Sequence, residues 1–213
     1  MAADDWRAGR GVDENLTLLD NEISYTELIS DGALEFVTET HLRRWFGGRE
    51  TITVGQALEV SAHIARKFWA IMRDEVLPNS ILHQFAVDYA AEFLGRANPE
   101  YVDFRTHRAL DAKQAWLDDK ISLGELRVAE AGARAALDTV AGYGDERVSD
   151  CAFVVCQALA DRGEEAQRRT FYTFLEHFGT RQDREWLIQL VRGRLGRPDS
   201  RWVPVPGRGR GQA

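Results

Sequence analysis

The amino-acid sequence predicts an all-α fold: a single multi-helix bundle of about seven to nine helices with a flexible Arg/Gly/Pro-rich C-terminal tail. Three observations predict it. Apolar residues recur at spacings of three and four along most of the chain, where a half-buried strand would alternate. Ser24 and Glu27, Thr53 and Gln56, and Ser122 and Glu125 stand at capping-box spacing, ready to satisfy the free amides that open a helix. Gly47-Gly48, Pro78 and Pro99 fall between the periodic stretches, where helices must stop.

Residues 1–22 carry Asp4, Asp5, Asp13, Glu14, Asp20 and Glu22 with little periodicity and read as a loosely ordered acidic segment. A helical domain is expected over 23–196 and a flexible basic tail over 197–213. The first helical stretch, 24–46, offers Leu28, Leu34, Val37, Leu42, Trp45 and Phe46 as an apolar face, and Gly32 divides it into two short helices. The stripe Val54, Ala57, Leu58, Ala62, Ala65, Phe68, Trp69, Met72 and Val76 predicts one helix opened by Thr53 and ended by Pro78. Asn79 is placed to cap the next helix, whose apolar side runs from Ile81 to Leu94. Two further helices follow, one from Phe104 to near Asp119 and an Ala-rich one from Leu123 to Val140. The remaining periodicity gives helices over 146–161, 164–178 and 183–195. A single bundle is the simplest organisation, because the 24–46 helices have too little core to stand alone; a second domain would begin near Gly47–Glu50.

Composition narrows the function classes. A net charge of -7 argues against broad nucleic-acid binding and favours a basic partner. From Arg192 onward six Arg face one Asp, but the tail lacks the aromatic interleaving of a base-stacking platform. Cys151 and Cys156 sit about 140° apart around a helix, poor geometry for a mutual disulfide. They read as two buried thiols, in keeping with a reducing compartment. No signal peptide and no membrane span are expected, so the localisation read from the sequence is cytoplasmic. Six Trp and ten Phe exceed the needs of a minimal core and leave material for a homo-oligomeric interface.

The sequence holds no G-x-G-x-x-G, P-loop, H-E-x-x-H or G-x-S-x-G motif, and no cofactor is expected. The polar residues that stand out in an apolar setting are His83, Asp88 and Glu92. Asp88 and Glu92 share a helix face, and with a histidine from another helix the carboxylates would suit metal binding or acid–base work. His107 and Asp111 form a similar pair four residues apart. Trp45, Trp69 and Trp116, with the acidic pair Asp118 and Asp119, are candidates for contact with another protein. The Glu-x-x-His repeat of di-iron bundles is absent.

Trp69, then LPNSILHQFAVDYAAEFL, then ALDAKQAWLDDKISLGELRVAEAGARAAL resembles helical immunity proteins of the Imm-5 type. TVGQALEV before Trp69 is similar to the opening of related chains, and the resemblance covers roughly residues 51–142. The later helices, with Cys151, Cys156 and the aromatic run 171–178, depart from that pattern. The resemblance implies an all-helical cytoplasmic protein that neutralises a bacterial toxin by stoichiometric binding, and it implies no catalytic or cofactor residue. Three functional expectations follow. The first is a non-enzymatic protein-binding module, an immunity protein against a basic toxin. The second is a small helical metal- or ligand-binding enzyme using His83, Asp88 and Glu92. The third is a nucleic-acid-associated regulator using the Arg-rich tail.

Overall fold

The computed structural model describes residues 17–30, 37–141 and 146–196. The N-terminal acids up to Glu14, Gly32 and Leu34, and the basic tail 197–213 lie outside the described residues. The described chain is an all-α assembly of ten α-helices with one small two-stranded sheet. It divides into two compact units: Ile64–Asp183, and the flanking residues up to His63 together with those from Arg184.

The flanking unit starts with a 3-10 turn, Leu18–Asp20, capped by Thr17 and burying Leu18. Strand β1 (Glu22–Ser24) pairs antiparallel with β2 (Thr51–Thr53), setting Ile23 opposite Ile52. Both isoleucines are buried between exposed or half-exposed neighbours. Amides of Tyr25 and Val54 extend the ladder to Glu50 and Asn21 carbonyls, each at 2.9 Å. Helical spacing does not announce this hairpin, because three residues per strand are too few to display alternation. Each strand leads directly into a helix: α1 (Tyr25–Ser30) after β1, and α3 (Val54–Glu59) after β2. Ser24 Oγ accepts from the Glu27 amide at 3.3 Å. Thr53 and Gln56 complete a reciprocal capping box at 3.2 and 3.1 Å. Between the strands lies α2 (Glu39–Phe46), which buries Leu42, Trp45 and Phe46. It stops at Gly47, whose φ of 57° is the left-handed conformation that glycine adopts without a Cβ penalty.

The helix expected to run from Thr53 toward Pro78 is two helices, α3 and α4 (Ile64–Ile71). Val60 takes an extended conformation (φ -60°, ψ 138°) and ends the first. No Gly or Pro marks this break, and the apolar spacing continues across it. Periodicity reports which residues become buried, not whether the backbone between them stays helical.

The unit Ile64–Asp183 is built around α5 (Asn79–Arg96). It buries an unbroken run from Leu82 to Val87, then Tyr89, Ala90, Phe93 and Leu94. A helix apolar over most of its circumference needs partners on several sides. α5 finds them in α6 (Phe104–Leu117), α8 (Glu146–Ala158) and α9 (Gly163–Phe178). Helix α7 (Leu123–Ala141) packs on α6 and α8, opened by the Ser122–Glu125 box, in which the Ser122 amide donates to Glu125 Oε2 at 2.8 Å. Tyr89 lies among Phe85, Phe171 and Phe174, and Phe171 stacks on Phe68 of α4 at 4.7 Å between centroids. Burial of each such ring is worth about 1.5–3 kcal/mol. A last helix, α10 (Arg181–Leu195), gives Arg181–Asp183 to this unit; Leu187, Leu190, Val191 and Leu195 belong to the other and are buried.

Asn79 does not cap its own helix, whose preceding residue Pro78 makes no side-chain cap bond. Its Oδ1 instead accepts from the Gly163 amide at 2.7 Å, capping α9 across 84 residues of sequence. The approach leaves no room for a side chain: a Cβ on Gly163 would sit 2.4 Å from the Asn79 carbonyl oxygen and 2.9 Å from Leu82 Cβ. Gly163→Ala is therefore expected to cost about 2–4 kcal/mol in urea denaturation. Gly132→Ala, in α7 with nothing within 4 Å of the new methyl, is expected to stabilise by about 0.5–1 kcal/mol.

Candidate functional site

Two places in the Ile64–Asp183 unit gather chemistry-bearing side chains. The first lies where α5 and α6 meet the segment between α8 and α9. His83 is buried on α5, with 1% of its surface exposed. Its ring meets the Trp116 ring edge-on at 5.5 Å. Lys113 from α6 is equally buried, and its Nζ sits 4.6 Å from the centroid of the same indole. The ammonium donates to the Ala160 carbonyl at 3.4 Å, just past the C-terminus of α8, where the helix dipole favours a cation. Beside them Gln84 and Gln114 exchange hydrogen bonds at 2.9 and 3.3 Å and tie α5 to α6.

This buried cluster holds titratable groups far from their ordinary behaviour. Burial, and then the Lys113 charge, push the His83 imidazole down to about 4, so it is neutral at pH 7. Burial pulls Lys113 down to about 8, opposed by the charges of Asp161 and Glu130. The Asp161 backbone lies near enough to favour a proton on the imidazole. Even so, neither ring nitrogen of His83 has a partner in hydrogen-bond geometry. Lys113 makes no ion pair with any carboxylate among the described residues.

The second place is a shallow groove between α4 and α9, lined by Phe68, Trp69, Met72, Gln167, Arg168, Phe171 and Tyr172. Trp69 is half-buried, with the Arg73 guanidinium 5.8 Å from its ring, and Tyr172 is exposed. Arg168 pairs with Glu164 along α9.

The remaining sequence candidates do not converge on His83. Asp88 is half-buried, and Glu92 accepts from Arg96 Nε at 2.9 Å. Arg96 also pairs with Asp183, while its guanidinium lies 5.1 and 4.9 Å from the Phe174 and Phe178 centroids. Glu92 thus belongs to a structural clamp around a cation on two rings. His107 and Asp111 are exposed on α6, with no hydrogen bond between them. Trp45 is buried in α2. Asp118 accepts from Gln114 Nε2 and Lys120 Nζ, and Asp119 turns the chain out of α6 at φ 57°. Among the described residues no group of three His, Cys, Asp or Glu side chains is placed to hold a metal ion.

Lys113 and the Gln84–Gln114 pair escaped the motif search, although a signal for Lys113 was present. It stands three and four residues from Leu110 and Ala109, and three from Trp116, on the apolar stripe itself. A lysine in that register is either snorkelling or buried for a reason. Both cysteines are free; burial raises Cys151 to about 11 and also raises Cys156, which keeps them unreactive thiols. Among the described residues no helix is long and apolar enough to cross a membrane.

No family model, curated protein or solved structure matches the chain.

The His83 environment makes a pH prediction. Its folded value of about 4 lies below the ordinary 6.5, so between those limits the unfolded chain binds the proton more readily. Stability must fall as the pH drops from 6.5 to 4, by on the order of 3 kcal/mol from this group. Urea titrations at stepped pH should find a shallower acid loss in His83→Phe. In Lys113→Met, the matching rise in stability between about 8 and 10.5 should be missing.

Proposed function

We propose that this chain is a non-enzymatic protein-binding module, an immunity protein that neutralises a basic toxin by stoichiometric binding in the cytoplasm. The observation that carries this reading is the α4–α9 groove. With an enclosed space of only about 10 Å³ it is far smaller than the roughly 300–1,000 Å³ that encloses a small-molecule ligand. Its rim offers Trp69, Tyr172 and Arg168, the residue types over-represented in the energetic centres of protein interfaces. Met72 on the same wall supplies an adaptable thioether surface.

Charge supports a basic partner. The whole chain carries -7; the acids near the groove, Asp74, Glu75, Glu164 and Glu165, are matched by Arg162, Arg73, Arg168 and Arg169, so the support comes from the excess acidic groups of the body. Such groups steer encounter and reject acidic partners more than they add affinity. The resemblance of residues 51–142 to Imm-5-type immunity proteins supports the same assignment, and Trp69 is part of that resemblance.

The test is co-purification and calorimetry with the products of adjacent genes, a toxin among them being the expected partner. Trp69→Ala and Tyr172→Ala should each weaken that complex by roughly 10- to 100-fold, equivalent to about 1.4–2.7 kcal/mol, with His107→Ala as a neutral surface control. If no neighbouring or co-secreted toxin binds, or if both groove variants bind as tightly as the parent, the reading is wrong.

A further inference from the structure

Helices α8 and α9 lie side by side, joined by the short connection that ends at Arg162. The connection holds one end of this helical hairpin, so side chains must hold the other. Among the described residues two side-chain hydrogen bonds cross between the helices. Thr173 Oγ1 donates to Gln157 Oε1 at 2.8 Å. Farther from the connection, His177 Nε2 meets Asp150 Oδ2 at 3.1 Å. The other ring nitrogen of His177, Nδ1, lies 2.9 Å from the Thr173 carbonyl oxygen. A carbonyl oxygen only accepts, so Nδ1 must carry a proton to make that bond. The Asp150 carboxylate also only accepts. Both bonds therefore coexist only in the imidazolium; in the neutral ring a bare Nε2 lone pair faces a negative oxygen.

We propose that His177 and Asp150 form a proton-operated latch, closed while the ring is an imidazolium, whose release lets the first turns of α8 open away from the end of α9. The two side chains are 35% and 38% exposed, so the proton exchanges directly with solvent. The charged groups acting on the ring are Asp150 from α8 and Glu176 from its own helix. From α5 it meets the edge of Phe93 at 5.0 Å, while the charges of that helix nearby, Glu92 and Arg96, are engaged with each other and with Asp183. Burial by itself lowers the His177 value, but the Thr173 carbonyl and then the Asp150 carboxylate more than offset it, and the net shift is upward from 6.5. The latch is therefore fully closed below 6.5 and is lost as the pH rises through the raised folded value. The Gln157–Thr173 bond involves no titrating group and persists nearer the connection, so opening starts at the far end. This inference is independent of the toxin-binding reading, since Trp69, Arg168 and Tyr172 take no part in the latch.

The experiment is amide hydrogen exchange on the full chain at about pH 6 and about pH 8.5, corrected for the intrinsic pH dependence of exchange. Amides of Asp150–Val154 in α8 are compared with those of Tyr89–Phe93 in α5. In the parent, protection of the α8 amides relative to α5 should fall by about two- to fivefold across that range, the scale of a partly exposed ion pair. In Asp150→Asn the side-chain amide can donate to the bare Nε2, so the fall should be absent. On the parent itself the His177 ring resonances should titrate above 6.5, and in Asp150→Asn they should titrate at lower pH than in the parent. A relative protection that does not change with pH overturns the proposal. So does a loss shared equally by α5 and α8, which would make the pair one more contributor to global stability. A fall that persists in Asp150→Asn, or a His177 that titrates at or below 6.5, overturns it as well, because each places the titrating contact elsewhere.

Discussion

Burial of most of α5 is the constraint on which the Ile64–Asp183 unit depends. With the run Leu82–Val87 and then Tyr89, Ala90, Phe93 and Leu94 out of water, Asp88, Ala91, Glu92 and Gly95 leave this helix only a narrow solvent face. Three others, α6, α8 and α9, must close around it. Interiors are packed like organic crystals, so a methyl group at the α5–α9 approach is felt at once. Gly163 sits at that approach, with no room for a Cβ, and the Asn79 side chain uses the same closeness to cap α9.

A helix so largely buried also has to place its polar residues. Glu92 and Arg96 answer with a clamp that reaches Asp183 and sets the guanidinium on Phe174 and Phe178. Gln84 answers with a reciprocal amide pair to Gln114. His83 has no such answer, and its neighbour in space is another buried polar group, Lys113. Within a low-dielectric interior an incomplete polar set is costly, whereas a completed one fixes a unique arrangement. That contrast separates the His83–Lys113 pair from the clamp a few turns away on the same helix.

The two candidate sites make different physical demands. The α4–α9 groove is open and shallow, suited to an anchoring side chain from a macromolecule whose remaining surface excludes water around it. The His83–Lys113 pair is packed inside, with 1% of each residue exposed. Neither arrangement assembles the nucleophile–base geometry of a hydrolase.

Much of the helical architecture was legible in the sequence, because spacing and caps are local. Capping boxes at Ser122 and Thr53, the glycine stop at Gly47 and the sequence of helices from Asn79 to Leu195 all follow from neighbours within a few residues. The β1–β2 hairpin was not legible, since three-residue strands carry no period, and neither was the break at Val60, where the apolar stripe runs on unchanged. The candidate sites were less legible still. The sequence marked His83, Trp69 and Trp116 as unusual but paired His83 with Asp88 and Glu92 on its own helix. Tertiary structure instead joined it to Lys113, a residue 30 positions away, and gave Glu92 to Arg96. By itself the sequence determined where helices form and which faces are apolar, because those depend on short-range periodicity. Only the tertiary structure decided which polar side chains meet, because that depends on how helices far apart in the chain are brought together around α5.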